Sequence, residues 1–370
     1  MARYRWSIFS CLALLTLVIV PGVLACGGLF CQNVPVDQQA ERIIFTINDD
    51  STITAYVQIN YVGSAPDFSW VVPVPSVPVV DVAEIATFDE LSNLTAPVFF
   101  TPLMPACAPI PVPMMAAAES DSAAGGSVQV LASGTAGPYA YDVVTSPDPN
   151  ELILWLRDNG YRITEQMEPL VRVYTDEGLI FLAMKLQPEQ GVQDIQPIVM
   201  TYESTHPMIP IRLTAVAATP NMSILTWIFG DGQAVPENFA HPTIRDEDIR
   251  GTFSSFDGTN YLALVDQTID LYQGRAFITE YAQPTHVLLD QPLSDPLVQE
   301  LATKHPYVTR VFGRMSPEEM TVDPTFIIDT SRADVSNVRD LSGMKPEVFW
   351  GCENIAPRIE YDADVVPAGF

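Results

Sequence analysis

IIFTINDDSTITAYVQINY, residues 43–61, decides the fold class. Ile43, Phe45 and Ile47 alternate with Ile44 and Thr46, and a turn cluster follows, Asn48-Asp49-Asp50-Ser51. Beyond it Ile53, Ala55, Val57, Ile59 and Tyr61 alternate with polar neighbours. Period-two alternation on both sides of an Asn/Asp turn predicts a β-hairpin with one face on a core and one in water. Next come Phe68-Ser69-Trp70-Val71-Val72 and prolines at 73, 75 and 78. Proline cannot donate to a ladder, so this stretch reads as an edge strand or a polyproline segment. Ala83–Leu91 reads as a short helix.

Residues 101–138 change character. Pro, Ala, Ser and Gly dominate and periodicity is lost, which predicts a surface loop or linker. From 139 to 310 helices and strands mix. Asp148-Pro149-Asn150-Glu151 has the form of a capping box with proline at the first helical position, and Gly160 marks the exit. Strand-like runs follow at 179–186, 195–202, 208–216 and 223–229. A second capped helix starts at Asp295-Pro296 and must stop before Pro306. No regular βαβ alternation appears, so the fold class is α+β, mainly antiparallel with a few short helices.

The N-terminus carries an export signal in form. Arg3 and Arg5 begin it, Ser7–Val20 is largely apolar, and Pro21-Gly22 precede the small-residue exit Val23-Leu24-Ala25. The apolar run falls short of the roughly 20 residues that a membrane helix needs, and no later segment qualifies. The expected organisation is therefore a signal peptide over 1–25, a β-rich region over 26–100 and the loop over 101–138. An α+β region over 139–310 and a C-terminal extension over 311–370 complete it.

Four cysteines remain after cleavage: Cys26, Cys31, Cys107 and Cys352. An even number in an exported chain predicts two disulfides, with three pairings open. CGGLFC leaves four residues between its sulfurs and is not a redox C-x-x-C. Val23-Leu24-Ala25-Cys26 partly matches a lipobox, so a lipid anchor on Cys26 is the minor alternative to secretion. A formal net charge of −27, made two units more negative by loss of Arg3 and Arg5, repels phosphate backbones and argues against nucleic-acid binding.

Several of these stretches also resemble a known family. CGGLFC (26–31), QAERIIF (39–45), DFSWVVPVP (67–75), LRDNGY (156–161) and IPIRLTAVAAT (209–219) are similar, in order, to the bacterial domain of unknown function 2330. The similarity runs from Cys26 to about residue 285 and weakens beyond 310. It implies an exported bacterial protein with paired N-terminal cysteines, and it implies no activity.

No catalytic or ligand-binding residue is assigned from the sequence. There is no G-x-S-x-G, and the four histidines His206, His241, His286 and His305 have no metal-like spacing, so neither a metal nor a cofactor is expected. Among the tryptophans, Trp155 and Trp227 sit in apolar runs and read as core, while Trp70 and Trp350 are the candidates for an exposed stacking surface. The favoured reading is a non-enzymatic extracytoplasmic binding or envelope module with an unknown ligand or protein partner. The alternative is a secreted hydrolase whose two carboxylates, set about 5–9 Å apart across a cleft, need no proximity in sequence.

Overall fold

A computed structural model describes residues 38–59, 68–106, 129–161, 163–252, 255, 258–353 and 355–370. Its first strands are β1 (Gln38–Ile47), β2 (Thr52–Ile59), β3 (Ser69–Val74), β4 (Val79–Val82) and β5 (Val98–Phe100). Then come β6 (Gln129–Ala136), β7 (Tyr139–Thr145), β8 (Ile180–Leu186), β9 (Ile198–Glu203) and β10 (Ala218–Gly230). The last are β11 (Gln233–Pro236), β12 (Ile278–Pro284), β13 (Tyr307–Met315), β14 (Phe326–Asp329) and β15 (Val338–Asp340). The first α-helices are α1 (Ile85–Thr95), α2 (Pro149–Asp158) and α3 (Glu168–Asp176). They are followed by α4 (Ile211–Thr214), α5 (Tyr261–Asp270), α6 (His286–Leu289), α7 (Pro296–Lys304) and α8 (Pro346–Phe349). The α+β class holds, with β-sheet dominant.

A seven-stranded sheet in the order β12-β13-β10-β1-β2-β9-β4 is the centre of the molecule. Its pairs are antiparallel except one: β1 runs parallel to β10, with Ile44 beside Trp227 and Phe45 beside Ile228. A four-stranded antiparallel sheet, β3-β8-β7-β6, lies over one face. Ile43, Phe45, Ala55 and Val57 from the large sheet meet Trp70, Val72 and Leu182 from the small one in a shared core. Helix α3 covers the outer side of the small sheet, where Tyr174 meets Phe181 edge to face at 6.4 Å. On the other side of the large sheet, Ile44, Leu225, Trp227 and Phe229 pack with α1, α5 and α7.

The hairpin over β1 and β2 forms as the alternation predicts, but its second face is not wet. Ile44 and Thr46 are buried, and so is Gln58. The reason is position: β1 is an interior strand flanked by β10 and β2, with layers on both sides, and the doublet Ile43-Ile44 serves both. Pro73 lies in β3, whose one partner is β8, so the proline occupies an edge strand as its missing N–H requires.

Two local expectations need correction. Residues 208–216 do not form a strand; Ile211–Thr214 is one helical turn with Ile211 and Leu213 buried. Pro210 precedes it, and buried Ile209, Ile211 and Leu213 alternate with half-buried Pro210 and Arg212, which imitates the period of a strand. The expected loop over 101–138 contains β6 at Gln129–Ala136, the edge of the small sheet, whose run of Ala, Ser and Gly lacks the branched side chains that announce a strand. Residues 107–128 of that stretch lie outside the described residues, as does the expected signal peptide.

Both predicted helix starts are capped. Asp148 accepts from the Asn150 N–H at 2.8 Å, and Glu151 lies in the first turn without closing the reciprocal bond of a capping box. Asp295 accepts from the N–H groups of Leu297 and Val298, both at 3.0 Å, and from the Thr87 hydroxyl at 3.1 Å. It therefore caps α7 and ties it to α1. Asp295→Ala is expected to lower stability by about 1–2 kcal/mol, the range for a lost N-cap, as measured by urea unfolding.

Candidate functional site

Two concavities among the described residues hold groups that chemistry could use. The first lies between the two sheets and has a volume of about 260 Å³. Its floor is the odd-numbered face of β1 and β2, and its roof is Trp70, Val72 and Val74 from β3. Pro75, Ser204, His206, Met208 and Thr325 form the rim; Pro75 and His206 are exposed.

One carboxyl sits in this largely apolar lining. Alternation along a strand places residues i and i+2 on the same face, so Glu41 falls in line with Ile43 and Phe45 and faces the cavity with them. It is 6% exposed, and its Oε2 has no hydrogen-bond partner among the described residues. Removal from water disfavours the carboxylate and pushes its pKa up to about 7. The neighbouring cation, Arg42, points to the opposite face, where it donates to Gln58 and, at 2.8 Å, to Asp89.

Linkage follows directly. A carboxyl that holds its proton more tightly in the folded state favours folding below pH 4.5, and that advantage disappears as pH rises to about 7. Glu41→Gln is therefore expected to be near neutral at pH 4. Above pH 7 it should stabilise the protein by about 3 kcal/mol at most. Urea midpoints for both proteins across pH 4–8 measure this; a difference independent of pH would contradict it.

The second concavity is polar, with a volume of about 430 Å³, lined by residues 242–248, by α5 and by the C-terminal tail over 358–364. Its charged groups are occupied with holding the tail. Asp248 pairs with Arg245 at 2.6 Å and accepts from the Arg358 N–H at 2.7 Å. Arg245 in turn donates to the Arg358 carbonyl, and Glu360 pairs with Arg358 at 2.7 Å. The Tyr272 hydroxyl accepts from the Asp362 N–H at 2.9 Å.

The residues singled out from sequence are scattered. His206 sits on the rim of the inter-sheet cavity, and His286 opens α6. His305 ends α7, where burial lowers its pKa. His241 is buried, shares a hydrogen bond with the Thr279 hydroxyl, and is pushed down to about 4 by burial. Among the described residues, no group of three or more His, Cys, Asp or Glu side chains could hold a metal ion. Trp155 and Trp227 are core, as expected. Trp70 is not exposed: at 7% it forms part of the cavity roof. Trp350 is half-buried and donates to the Pro102 carbonyl at 3.0 Å, so among the described residues there is no exposed tryptophan pair for sugar stacking. Cys26, Cys31 and Cys107 lie outside the described residues. Among the described residues, no helix is long and apolar enough to cross a membrane.

The model of a family described as an uncharacterized protein conserved in bacteria, DUF2330, matches residues 20–327. The chain belongs to that family. Neither the curated proteins nor the solved structures gave a match. The DUF2330 match extends further than the residues quoted from sequence suggest, through β13 and into β14. Every residue lining the inter-sheet cavity falls inside it, whereas the tail wall of the polar cleft falls outside. Glu41 was missed from sequence, although a signal was there. A glutamate in phase with Ile43 and Phe45 is a charge written onto the apolar face of a strand.

Proposed function

We propose that this protein works outside the cytosol as a non-enzymatic binding module that takes a small apolar molecule between its two sheets. The observation that carries this reading is the inter-sheet cavity, mostly apolar on floor and roof with a few polar groups, Glu41 and Tyr202 among them, the usual make-up of a small-molecule site. Its volume of about 260 Å³ exceeds the ~150 Å³ of an apolar cavity that holds benzene. Calorimetric titration with 1-octanol tests it. Saturable binding is expected, and no binding of any apolar ligand would sink the reading.

Export and disulfide stapling belong to the same proposal. Support comes from the signal-like residues 1–25 and from the even number of cysteines left after cleavage, Cys26, Cys31, Cys107 and Cys352. Intact mass of the exported protein, before and after reduction with alkylation, should show cleavage after Ala25 and thiols only after reduction. A diacylglycerol-sized mass on Cys26 would replace secretion with a lipid anchor.

The hydrolase reading draws on one feature, the carboxylates Asp248, Glu360, Asp362 and Asp364 along the polar cleft. Since Asp248 pairs with Arg245 and both bind the tail backbone at Arg358, while Glu360 pairs with Arg358 within the tail, the cleft reads better as a seam than as a pair of free acids. Release of reducing sugar from extracellular polysaccharide by the purified protein would reverse that preference.

A further inference from the structure

The inter-sheet cavity contains a carboxyl that no described residue answers. Glu41 lines it, 6% exposed, with Oε2 unpartnered among the described residues. Neither lysine nor arginine is among the described residues lining the cavity. Arg42, one position along, is turned to the other face and held by Gln58 and Asp89. A buried charge is costly unless paired, and no described residue supplies the pairing cation.

We propose that the cavity binds a small primary ammonium compound with an apolar tail, roughly nine non-hydrogen atoms in all at ~30 Å³ each, its charged nitrogen held by Glu41. This rests on the binding-module reading above and names the ligand class for it. The tail lies along β1 against Ile43, Phe45, Ala55, Val57, Trp70 and Val72. An anionic ligand of the same size would set two like charges together in a dry site. An alcohol would fill the apolar space and give Oε2 a hydrogen bond, but would leave the charge uncompensated. The strongly acidic chain, at −27, also raises the local concentration of cations.

The test is calorimetric titration of the full exported protein at pH 8 with octylamine, 1-octanol and octanoate. Octylamine is expected to bind at least tenfold more tightly than 1-octanol, and octanoate to give no saturable heat. In Glu41→Gln the preference for the amine should disappear while 1-octanol still binds, which also reports that the variant is folded. Ala55→Leu, which fills the floor, should weaken both ligands. Octylamine binding no tighter than 1-octanol, or a preference that survives Glu41→Gln, overturns the ammonium assignment and leaves the cavity as an apolar site; octylamine binding undiminished in Ala55→Leu places the ligand elsewhere and overturns it too. If neither ligand binds the wild type, the binding-module reading falls and the assignment falls with it.

Discussion

Replacing Glu280 with alanine is expected to cost about 3–5 kcal/mol of stability, the range for stranding one partner of a buried ion pair. Glu280 accepts from Arg310 Nε at 2.7 Å, with side chains 2% and 9% exposed. It reaches Arg310 through a β-bulge. Thr279 pairs with Val311 and Tyr281 with Arg310, so Glu280 is the extra residue between them. Without it the guanidinium keeps one long contact to the Thr95 hydroxyl, at 3.4 Å, and lies 5.7 Å from the Trp227 ring centre. Urea unfolding of the variant measures the loss. Glu280→Leu combined with Arg310→Met removes both charges and should recover most of it, because the pair's own net contribution is small once desolvation is counted. A single variant as stable as wild type would show that water reaches the guanidinium.

Trp227→Ala is the second large effect, expected at about 3–5 kcal/mol. Trp227 is fully buried in the second half of β10, donates from Nε1 to the Thr95 hydroxyl at 2.9 Å, and meets Phe88 of α1 edge to face at 6.3 Å. Truncation removes the side chain that joins α1 to the sheet, and the cavity left behind adds to the transfer loss. Since Arg310 lies against the same ring and the same hydroxyl, the two sites should not add. A double-mutant cycle between Trp227→Ala and Arg310→Met is expected to give a coupling of about 0.5–3 kcal/mol, and additivity within error would refute the contact's energetic role.

What could be read from sequence was whatever one segment writes for itself. The alternation at Ile43–Ile59, the apolar runs that became β8 and β10, and the caps at Asp148 and Asp295 are local, and each produced the element it announces. Burial on both faces of β1 was harder, because it depends on β10 and on layers contributed by distant residues. The Glu280–Arg310 pair joins two strands through an inserted residue that no pattern marks. The inter-sheet cavity belongs to no segment; it exists where two sheets fail to close against each other. Glu41 was legible in part: its phase in the strand could be read, but not the absence of a partner.

The parallel pairing of β1 with β10 also fixes the order in which this chain can complete itself. Ile43 must wait for Thr226 before its strand has a neighbour on that side, and β10 needs β13 on its own far edge. Until then β1 and β2 present an unpaired apolar edge, the kind of surface that recruits other chains. Contacts so distant in sequence close slowly. A chain made N-terminus first has this hairpin exposed while its partner is still to come. Only when residue 315 has been added can β13 close the far edge of β10 and the sheet around it.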